Sequence, residues 1–386
     1  MRGAPLPRDP ELTMRIGIDA RLNAYRQGGI AQYTRQLLTA LAAEAPDDIF
    51  VALQHYRQRR PLVVAANVER APLLTPPHNR FEQVSLPLEL LPRRLDLLHC
   101  PDFIAPRRRP CPAVITVHDL AFLHFPEILD ADARRYYSQV RAAVHDAEAV
   151  ITVSQATRAD IAHLLGLQPE RIDVVYEAAD PRFAPLAVAR GEQRVINGCR
   201  VEAGGFLLFV STVEPRKNLA TLLRALRLCL DRRPGAEYRL IVAGGRGWLD
   251  EPIYDLVGEL RLREAVHFLG AVSLADLPWL YSACRLYVNP SLYEGFGLPA
   301  LEALACGAAS LVADTSSLPE VVGDAARLIP PREVEAWAGA IADLWDDDAA
   351  RAELSRRGPA RAALFSWRRA AWETLAIYRR VAAQGR

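Results

Sequence analysis

Short apolar runs alternate with amphipathic stretches along the chain, and the two periods predict strands and helices in turn. Residues 14–20 carry Ile16 and Ile18 and read as a first strand. A loop through Gly28 and Gly29 follows. Over residues 30–44 the apolar positions Ile30, Tyr33, Leu37, Leu38 and Leu41 fall at helical spacing. Residues 113–117 and 149–153 both read Ala-Val-Ile-Thr-Val, a nearly continuous apolar run that suits a strand covered on both faces. Ser154, directly after the second run, is a helix-start residue. Residues 172–176 (Ile-Asp-Val-Val-Tyr) predict another strand. Strands that alternate with helices in this way predict βαβ units and a parallel sheet.

The pattern weakens over 181–205, where Pro181, Pro185, Gly191, Gly198, Gly204 and Gly205 collect, and it restarts with strands expected at 206–211, 239–243, 266–269, 286–289, 309–313 and 327–329. The expected organisation is therefore a leader over 1–13, a first domain over 14–190, a linker over 191–205, a second domain over 206–365 and a C-terminal helix over 366–386. That last helix sets Trp367, Ala371, Leu375 and Tyr378 on one side. The fold class is α/β, with two doubly wound parallel sheets. Such sheets bind ligands outside the carboxyl ends of their strands, so two halves place two sets of strand ends around one cleft.

Composition agrees and narrows the classes. A chain of 386 residues exceeds one ordinary core and calls for two domains. An apolar fraction of 51% excludes wholesale disorder. The net charge of +1 argues against a nucleic-acid partner. No uncharged run approaches the roughly 18 residues of a membrane span. Residues 1–13 contain no apolar stretch of the secretory kind, and the ordered protein, and with it translation, is expected to begin at Met14. Cys100, Cys111, Cys199, Cys229, Cys284 and Cys306 show neither a CxxC pair nor zinc spacing, which points to reduced thiols and a cytoplasmic location. Lys217 is the one lysine among 47 basic residues, the rest being arginine.

Candidate chemistry follows the strands. Residues 211–218 (Ser-Thr-Val-Glu-Pro-Arg-Lys-Asn) lead from a strand into a helix, so Arg216 and Lys217 stand beside free N–H groups at a helix N-terminus. Two cations and a dipole end form a site for a diphosphate. Residues 289–302 place Glu294, Gly295, Phe296 and Gly297 in a loop, and Leu298, Pro299 and Glu302 at the start of the next helix. The glycines permit close backbone approach to a ligand, and two carboxylates eight residues apart can grip two ends of one polar molecule. His118 and Asp119 follow the strand at 113–117, where a histidine can meet a sugar hydroxyl or a developing charge. The Gly28-Gly29 turn can bring its N–H groups to a phosphate or sugar. For each of these a solvated or structural role is the plainer alternative. The chain lacks Gly-x-Gly-x-x-Gly in its first loop, and it has no Walker loop, His-Glu-x-x-His or Gly-x-Ser-x-Gly. Asp130-Ala131-Asp132 reads as a helix cap, and no metal is expected.

These residues resemble the retaining glycosyltransferases of family 4, also called glycosyl transferases group 1, which have the two-domain GT-B fold. The match rests on the Glu294-to-Glu302 pair enclosing Gly-Phe-Gly-Leu-Pro, on Glu-Pro-Arg-Lys-Asn-Leu at 214–219, and on Gly28-Gly29-Ile30, His118-Asp119 and Thr152-Val153-Ser154. The resemblance implies that Glu294 and the backbone after it (Gly295, Phe296, Gly297, Leu298) hold the donor sugar, and that Glu302 holds the ribose. It further implies that Arg216 and Lys217 neutralise the diphosphate, that His118 contacts the sugar near the reacting carbon, and that the C-terminal helix crosses back to the first domain. Two positions depart from the family pattern: Glu177-Ala178-Ala179-Asp180 stands where members often have Asn-Gly-Val-Asp, and Ala31 replaces a glycine.

The expected reaction moves a sugar, by overall similarity mannose from GDP-mannose, onto a hydroxyl of a glycan or lipid-linked saccharide in surface-polysaccharide assembly. It needs no cofactor beyond the nucleotide-sugar donor. A glycoside hydrolase, a GT-B sugar-nucleotide epimerase and a non-catalytic carbohydrate-binding protein are the rivals; the hydrolase has no use for Arg216 and Lys217. Residues 57–109 hold ten arginines against five acids, a local excess suited to anionic lipid headgroups and to peripheral contact with the inner face of a membrane.

Overall fold

The apolar runs pair into two parallel sheets. The computed structural model describes residues 13–384 apart from 26, 27, 80, 130, 248 and 249, so nearly all of the expected leader, and Asp130 of the expected helix cap, lie outside the described residues. The first sheet contains β1 (Arg15–Asp19), β2 (Ile49–His55), β3 (Val68–Leu73), β4 (Leu97–Cys100), β5 (Ala113–Val117), β6 (Ala149–Thr152) and β7 (Ile172–Val174), in the order β3-β2-β1-β4-β5-β6-β7. After the hairpin β8 (Gln193–Ile196) and β9 (Cys199–Glu202) comes a second sheet. It holds β10 (Leu207–Val210), β11 (Leu240–Ala243), β12 (Val266–Gly270), β13 (Leu286–Asn289), β14 (Ser310–Ala313) and β15 (Arg327–Ile329), in the order β12-β11-β10-β13-β14-β15. Both are doubly wound α/β sheets, and the strand order reverses between β1 and β4 and again between β10 and β13. Those reversals open the crevices in which such folds bind ligands.

The sequence pattern missed β2, β3 and β4. β3 is an edge strand containing Pro72 and half-exposed polar residues, and β4 is a four-residue strand centred on a fully buried His99. Residues 191–205, expected as a linker, contain the antiparallel β8–β9 hairpin. It belongs to the second half: Ile196, Val201 and Ala203 join that half's core, and the Asn197 amide donates to the Leu269 and Ala271 carbonyls at 2.8 and 2.9 Å.

The C-terminal helix Trp367–Gln384 returns to the first half. Trp367, Ala370, Ala371, Ile377, Tyr378 and Val381 join one core with Tyr33, Leu37 and Leu41 of the helix Gly29–Glu44. Fully burying each large apolar side chain contributes roughly 1.5–3 kcal/mol, so this face fixes where the chain ends relative to the first sheet. Arg379 pairs with the buried Asp48 at 2.5 Å and the Trp372 indole donates to Glu44 at 2.6 Å, which sets the helix register. No described helix is long and apolar enough to cross a membrane.

Candidate active site

The loops after β10 and β13 form the centre of the site. After β10 the chain makes a short 3-10 turn, Pro215–Lys217, and Asn218 then takes a left-handed conformation (φ +57°) before the helix Leu219–Arg232. Asn218 can spend its side chain elsewhere in that conformation. Its amide donates to the Pro290 and Pro331 carbonyls at 2.9 and 2.6 Å, and the Leu292 N–H donates to the Arg216 carbonyl at 2.8 Å. The two loops are thereby clamped to each other.

Within that clamp the charges are paired. Lys217 Nζ lies 2.7 and 2.8 Å from the two oxygens of Glu294, and the Ser291 hydroxyl donates to Glu294 Oε1 at 2.8 Å. Arg216 reaches Glu214 at 2.7 Å and Glu294 at 3.6 Å. Lys217, Glu214 and Glu294 are all buried. Burial alone would push the Glu294 carboxyl up, but Lys217, Arg216 and Ser291 together hold it below the usual carboxylate range. The arrangement is an electrically balanced pair of cations and carboxylates at the carboxyl end of β10 and β13, in the strand-order crevice.

Gly297 (φ +95°) begins the helix Leu298–Ala305 in a conformation that disfavours other residues, with Pro299 in the first turn. Glu302, on that helix, is buried and accepts from the Tyr281 hydroxyl at 3.0 Å. Burial is the main reason its pKa is pushed up to about 8; nearby Asp180 adds to the rise, and Tyr281 opposes it. Ser317 donates to the Glu294 and Phe296 carbonyls at 2.9 Å each, and the Glu294 N–H donates to Ser316 Oγ at 2.9 Å, so β14's loop fixes the glycine turn.

Two glycines have different surroundings from those the sequence suggested. A Cβ on Gly295 would lie 2.1 Å from the His118 carbonyl oxygen and 2.8 Å from Asp119 Cβ, so its close approach is to the backbone of the first half. The Phe296 ring is buried between Tyr176 and Phe365, which leaves its backbone rather than its ring for a ligand. Gly28 and Gly29 are exposed, with open space where a Cβ would stand, at the start of the helix Gly29–Glu44.

His118 is at the carboxyl end of β5, as expected, but both its ring nitrogens are engaged. Nε2 lies 2.9 Å from the Pro101 carbonyl and Nδ1 lies 2.9 Å from Glu177. A carbonyl and a carboxylate are both acceptors, so the two contacts favour the ring protonated at both nitrogens. Burial opposes that charge, and Glu177 outweighs it, leaving the pKa raised. Tyr33 meets the ring edge-on at 4.6 Å. Glu177 is one of the two departures from the family pattern, and nothing in the one-dimensional pattern connects it to His118.

The halves touch elsewhere too. Glu320 of the second half accepts from the Gln155 and Ala156 N–H groups at 3.0 Å each, capping the helix Gln155–Asp160 of the first half, and accepts from the Tyr176 hydroxyl at 3.0 Å. Tyr293, adjacent to Glu294, donates to Asp160 at 2.7 Å. Beside this contact lies a cavity of about 290 Å³ lined by His124, Phe125, Asp160, Leu292, Tyr293 and Ser316 among others. In the first half, the buried Arg21 pairs with Asp19 at 2.6 Å and with Glu82 at the end of β1. The sequence pattern flagged neither Tyr293 nor this cluster. Among the described residues no group of three or more His, Cys, Asp and Glu side chains is placed to hold a metal ion.

Comparison with known proteins gives a consistent result. The model of Glycosyl transferases group 1 matches residues 200–361, and that of Glycosyltransferase Family 4 matches residues 27–183. O-antigen chain mannosyltransferase B of Escherichia coli is 36% identical over 285 residues, covering 73% of this chain and 74% of that protein. Serotype-specific mannosyltransferase WbdA of Escherichia coli is 30% identical over 267 residues, covering 67% of this chain and 32% of that much longer protein. Among solved structures, sucrose-phosphate synthase from Thermosynechococcus elongatus superposes with a TM-score of 0.77 at 21% identity, covering 96% of this chain and 100% of that one. WaaG, a glycosyltransferase involved in lipopolysaccharide biosynthesis, gives 0.71 at 15% identity, covering 94% and 99%.

Proposed function

The chain belongs to the glycosyl transferases group 1, and from that premise we propose that it moves a mannosyl residue from GDP-mannose to a hydroxyl of a glycan or lipid-linked saccharide, with retention at the anomeric carbon, in the assembly of a surface polysaccharide. The choice of mannose rests on the names of the two Escherichia coli relatives. The observation that carries the chemistry is the set formed by half-buried Arg216 and buried Lys217 and Glu294 at the carboxyl ends of β10 and β13.

As the glycosidic bond breaks, the departing nucleoside diphosphate gains charge. Arg216 and Lys217, with the N–H groups that open the helix Leu298–Ala305, are aimed at that charge and are already fixed in place by the two-loop clamp, so little reorganisation opposes the transition state. In this reading the diphosphate joins the cations that Glu214 and Glu294 now balance. The second Glu294 oxygen then turns to the sugar hydroxyls, and Glu302 accepts from the ribose. The two side-chain cations supply the charge that a divalent metal supplies in other phosphate sites.

Both ring nitrogens of His118 are already engaged, by Glu177 and the Pro101 carbonyl, so His118 is unsuited to take the acceptor's proton. A diphosphate oxygen, on the same face as the incoming hydroxyl, takes it instead, and that geometry yields retention. His118 lies where the first half meets Gly295, and the positive charge that Glu177 favours on its ring stabilises the negative charge of the bound donor.

Thermal shift with a panel of nucleotide sugars tests the donor: GDP-mannose stabilises the protein, and UDP-glucose does so less. Proton NMR of the product's anomeric coupling then reads retention or inversion. Consumption of GDP-mannose without any acceptor, giving an isomeric nucleotide sugar, overturns transfer in favour of epimerisation.

A further inference from the structure

The carboxyl ends of the first sheet hold more chemistry than the proposed reaction uses. His118 follows β5, and the strand order β2-β1-β4-β5 leads from there to β2 in three interstrand steps, a span of about 14 Å. Each strand end on that path carries polar or aromatic side chains. Asp102, after β4, pairs with His78, whose ring stacks on Tyr136 with centroids 4.1 Å apart. Asp19 ends β1 and pairs with Arg21. Both carboxylates keep part of their surface open to solvent.

At the far end of the path His55 closes β2, and two tyrosines pack on its buried ring. The Tyr25 hydroxyl, from the loop after β1, lies 3.0 Å from His55 Nε2, and the two rings are tilted with centroids 5.0 Å apart. The Tyr56 ring lies 4.5 Å from the same histidine. Tyr25 and Tyr56 nevertheless remain 43% and 47% exposed. The Arg57 guanidinium stands 6.0 Å from the Tyr56 ring centroid, and among the described residues it forms no ion pair. Arg21 acts electrostatically on His55, so this aromatic cluster adjoins the charged groups at the end of β1.

Two solvent-facing tyrosines anchored on one buried ring suit a particular ligand. The C–H face of a pyranose ring packs on an aromatic face, while its hydroxyls reach the tyrosine O–H groups and a guanidinium at the rim. Tyrosine supplies that area with few rotatable bonds, so little entropy is lost on binding. Asp19 and Asp102, along the path, accept from sugar hydroxyls and repel an anionic polymer. We infer that Tyr25, Tyr56 and Arg57 form a distal subsite for one pyranose ring of a neutral oligosaccharide acceptor, roughly three sugar units along from the hydroxyl that reacts beside His118. The reactive end of that path rests on the proposed transfer reaction; binding of the sugar chain by the tyrosines does not. The consequence is selection by length: a single sugar fills only the inner end, and a longer chain fills both.

The test is titration of the full chain, without donor, with α-linked mannose oligosaccharides of one, two, three and four units, read by saturation-transfer NMR. Affinity steps up once the chain is long enough to reach the tyrosines. Tyr25→Ala and Tyr56→Ala each weaken tetrasaccharide binding by about two- to tenfold, and the double variant loses the step with length. Tyr56→Phe keeps most of the affinity, because the ring face remains. The length series on the wild type needs no variant, so a misfolded variant does not decide the matter. Equal affinity for one and four units overturns the proposal. So does a tetrasaccharide affinity that the double variant leaves intact, or tighter binding of a polyanionic oligosaccharide of the same length. Transfer from GDP-mannose to the same series is measured in parallel. Length-dependent binding with no transfer to any acceptor counts against the reaction and leaves the subsite standing, whereas transfer without length dependence removes the subsite and leaves the reaction.

Discussion

Lys217 and Glu294 are joined through both carboxylate oxygens, at 2.7 and 2.8 Å, although 77 residues separate them in the chain. The pair is buried, so its desolvation cost is met only while both members are present. This makes stability and catalysis separable at one place.

Removing Lys217 leaves the buried Glu294 with only the more distant Arg216, at 3.6 Å, and the Ser291 hydroxyl against its charge. Lys217→Ala is expected to cost about 3–5 kcal/mol of stability. It also removes a phosphate contact, with a barrier increase of about 2–4 kcal/mol, or roughly 30- to 1,000-fold in rate. Lys217→Met combined with Glu294→Gln restores most of the stability and none of the activity. Chemical denaturation and steady-state kinetics on the three proteins check this; a Lys217→Ala enzyme with wild-type kcat/KM rejects the site.

The Glu177 carboxylate raises the pKa of His118 above its unfolded value. The stability it contributes is therefore fully present below pH about 6.5 and is lost as pH rises through the folded pKa. In Glu177→Gln the ring titrates at lower pH and this dependence shrinks. Nitrogen chemical shifts of labelled His118 followed against pH read the change directly, with the wild-type ring titrating at higher pH than in Glu177→Gln.

Glu302 behaves in the opposite sense from an ordinary carboxylate, because burial lifts its pKa to about 8. The native state holds that proton across a range where the unfolded chain has released it, so stability falls as pH rises from about 4.5 to 8. Glu302→Gln removes this slope and makes the protein more stable than wild type at alkaline pH. It also replaces the neutral carboxyl that meets the ribose, which weakens donor binding by about 2- to 13-fold at neutral pH, given about 0.5–1.5 kcal/mol for a hydrogen bond between neutral groups. Melting curves across pH and donor titration measure the two effects independently.

Gly295→Ala places a methyl 2.1 Å from the His118 carbonyl oxygen, closer than atoms can approach. The halves must separate at that point. The expected result is a loss of kcat of at least about tenfold with a larger radius of gyration in solution scattering, while each half keeps its own core. Unchanged scattering and unchanged kcat would mean that the contact is dispensable.

Much of the second half was legible in one dimension. Its strands are continuous apolar runs, and the Glu294–Glu302 segment carries a strand end, a glycine turn and a proline-started helix within 14 residues, so local chemistry and local structure coincide. The first half was less readable. Its β3 is an edge strand with a proline, its β4 is a short strand with a histidine at its middle, and the 191–205 stretch is a hairpin whose glycines resemble those of a linker.

Local periodicity and turn chemistry are properties of neighbouring residues, so the chain alone determined two α/β halves, the loops that follow their strands and the residue types those loops present. The partners of those residues come from distant segments, and only packing decides them. Folding turned Gly295 toward His118, set Glu177 against the same histidine to favour its charge, closed Lys217 onto Glu294, and packed Tyr25 and Tyr56 on one buried histidine, His55. Each outcome depends on burial and distance in three dimensions, which no spacing along a sequence encodes.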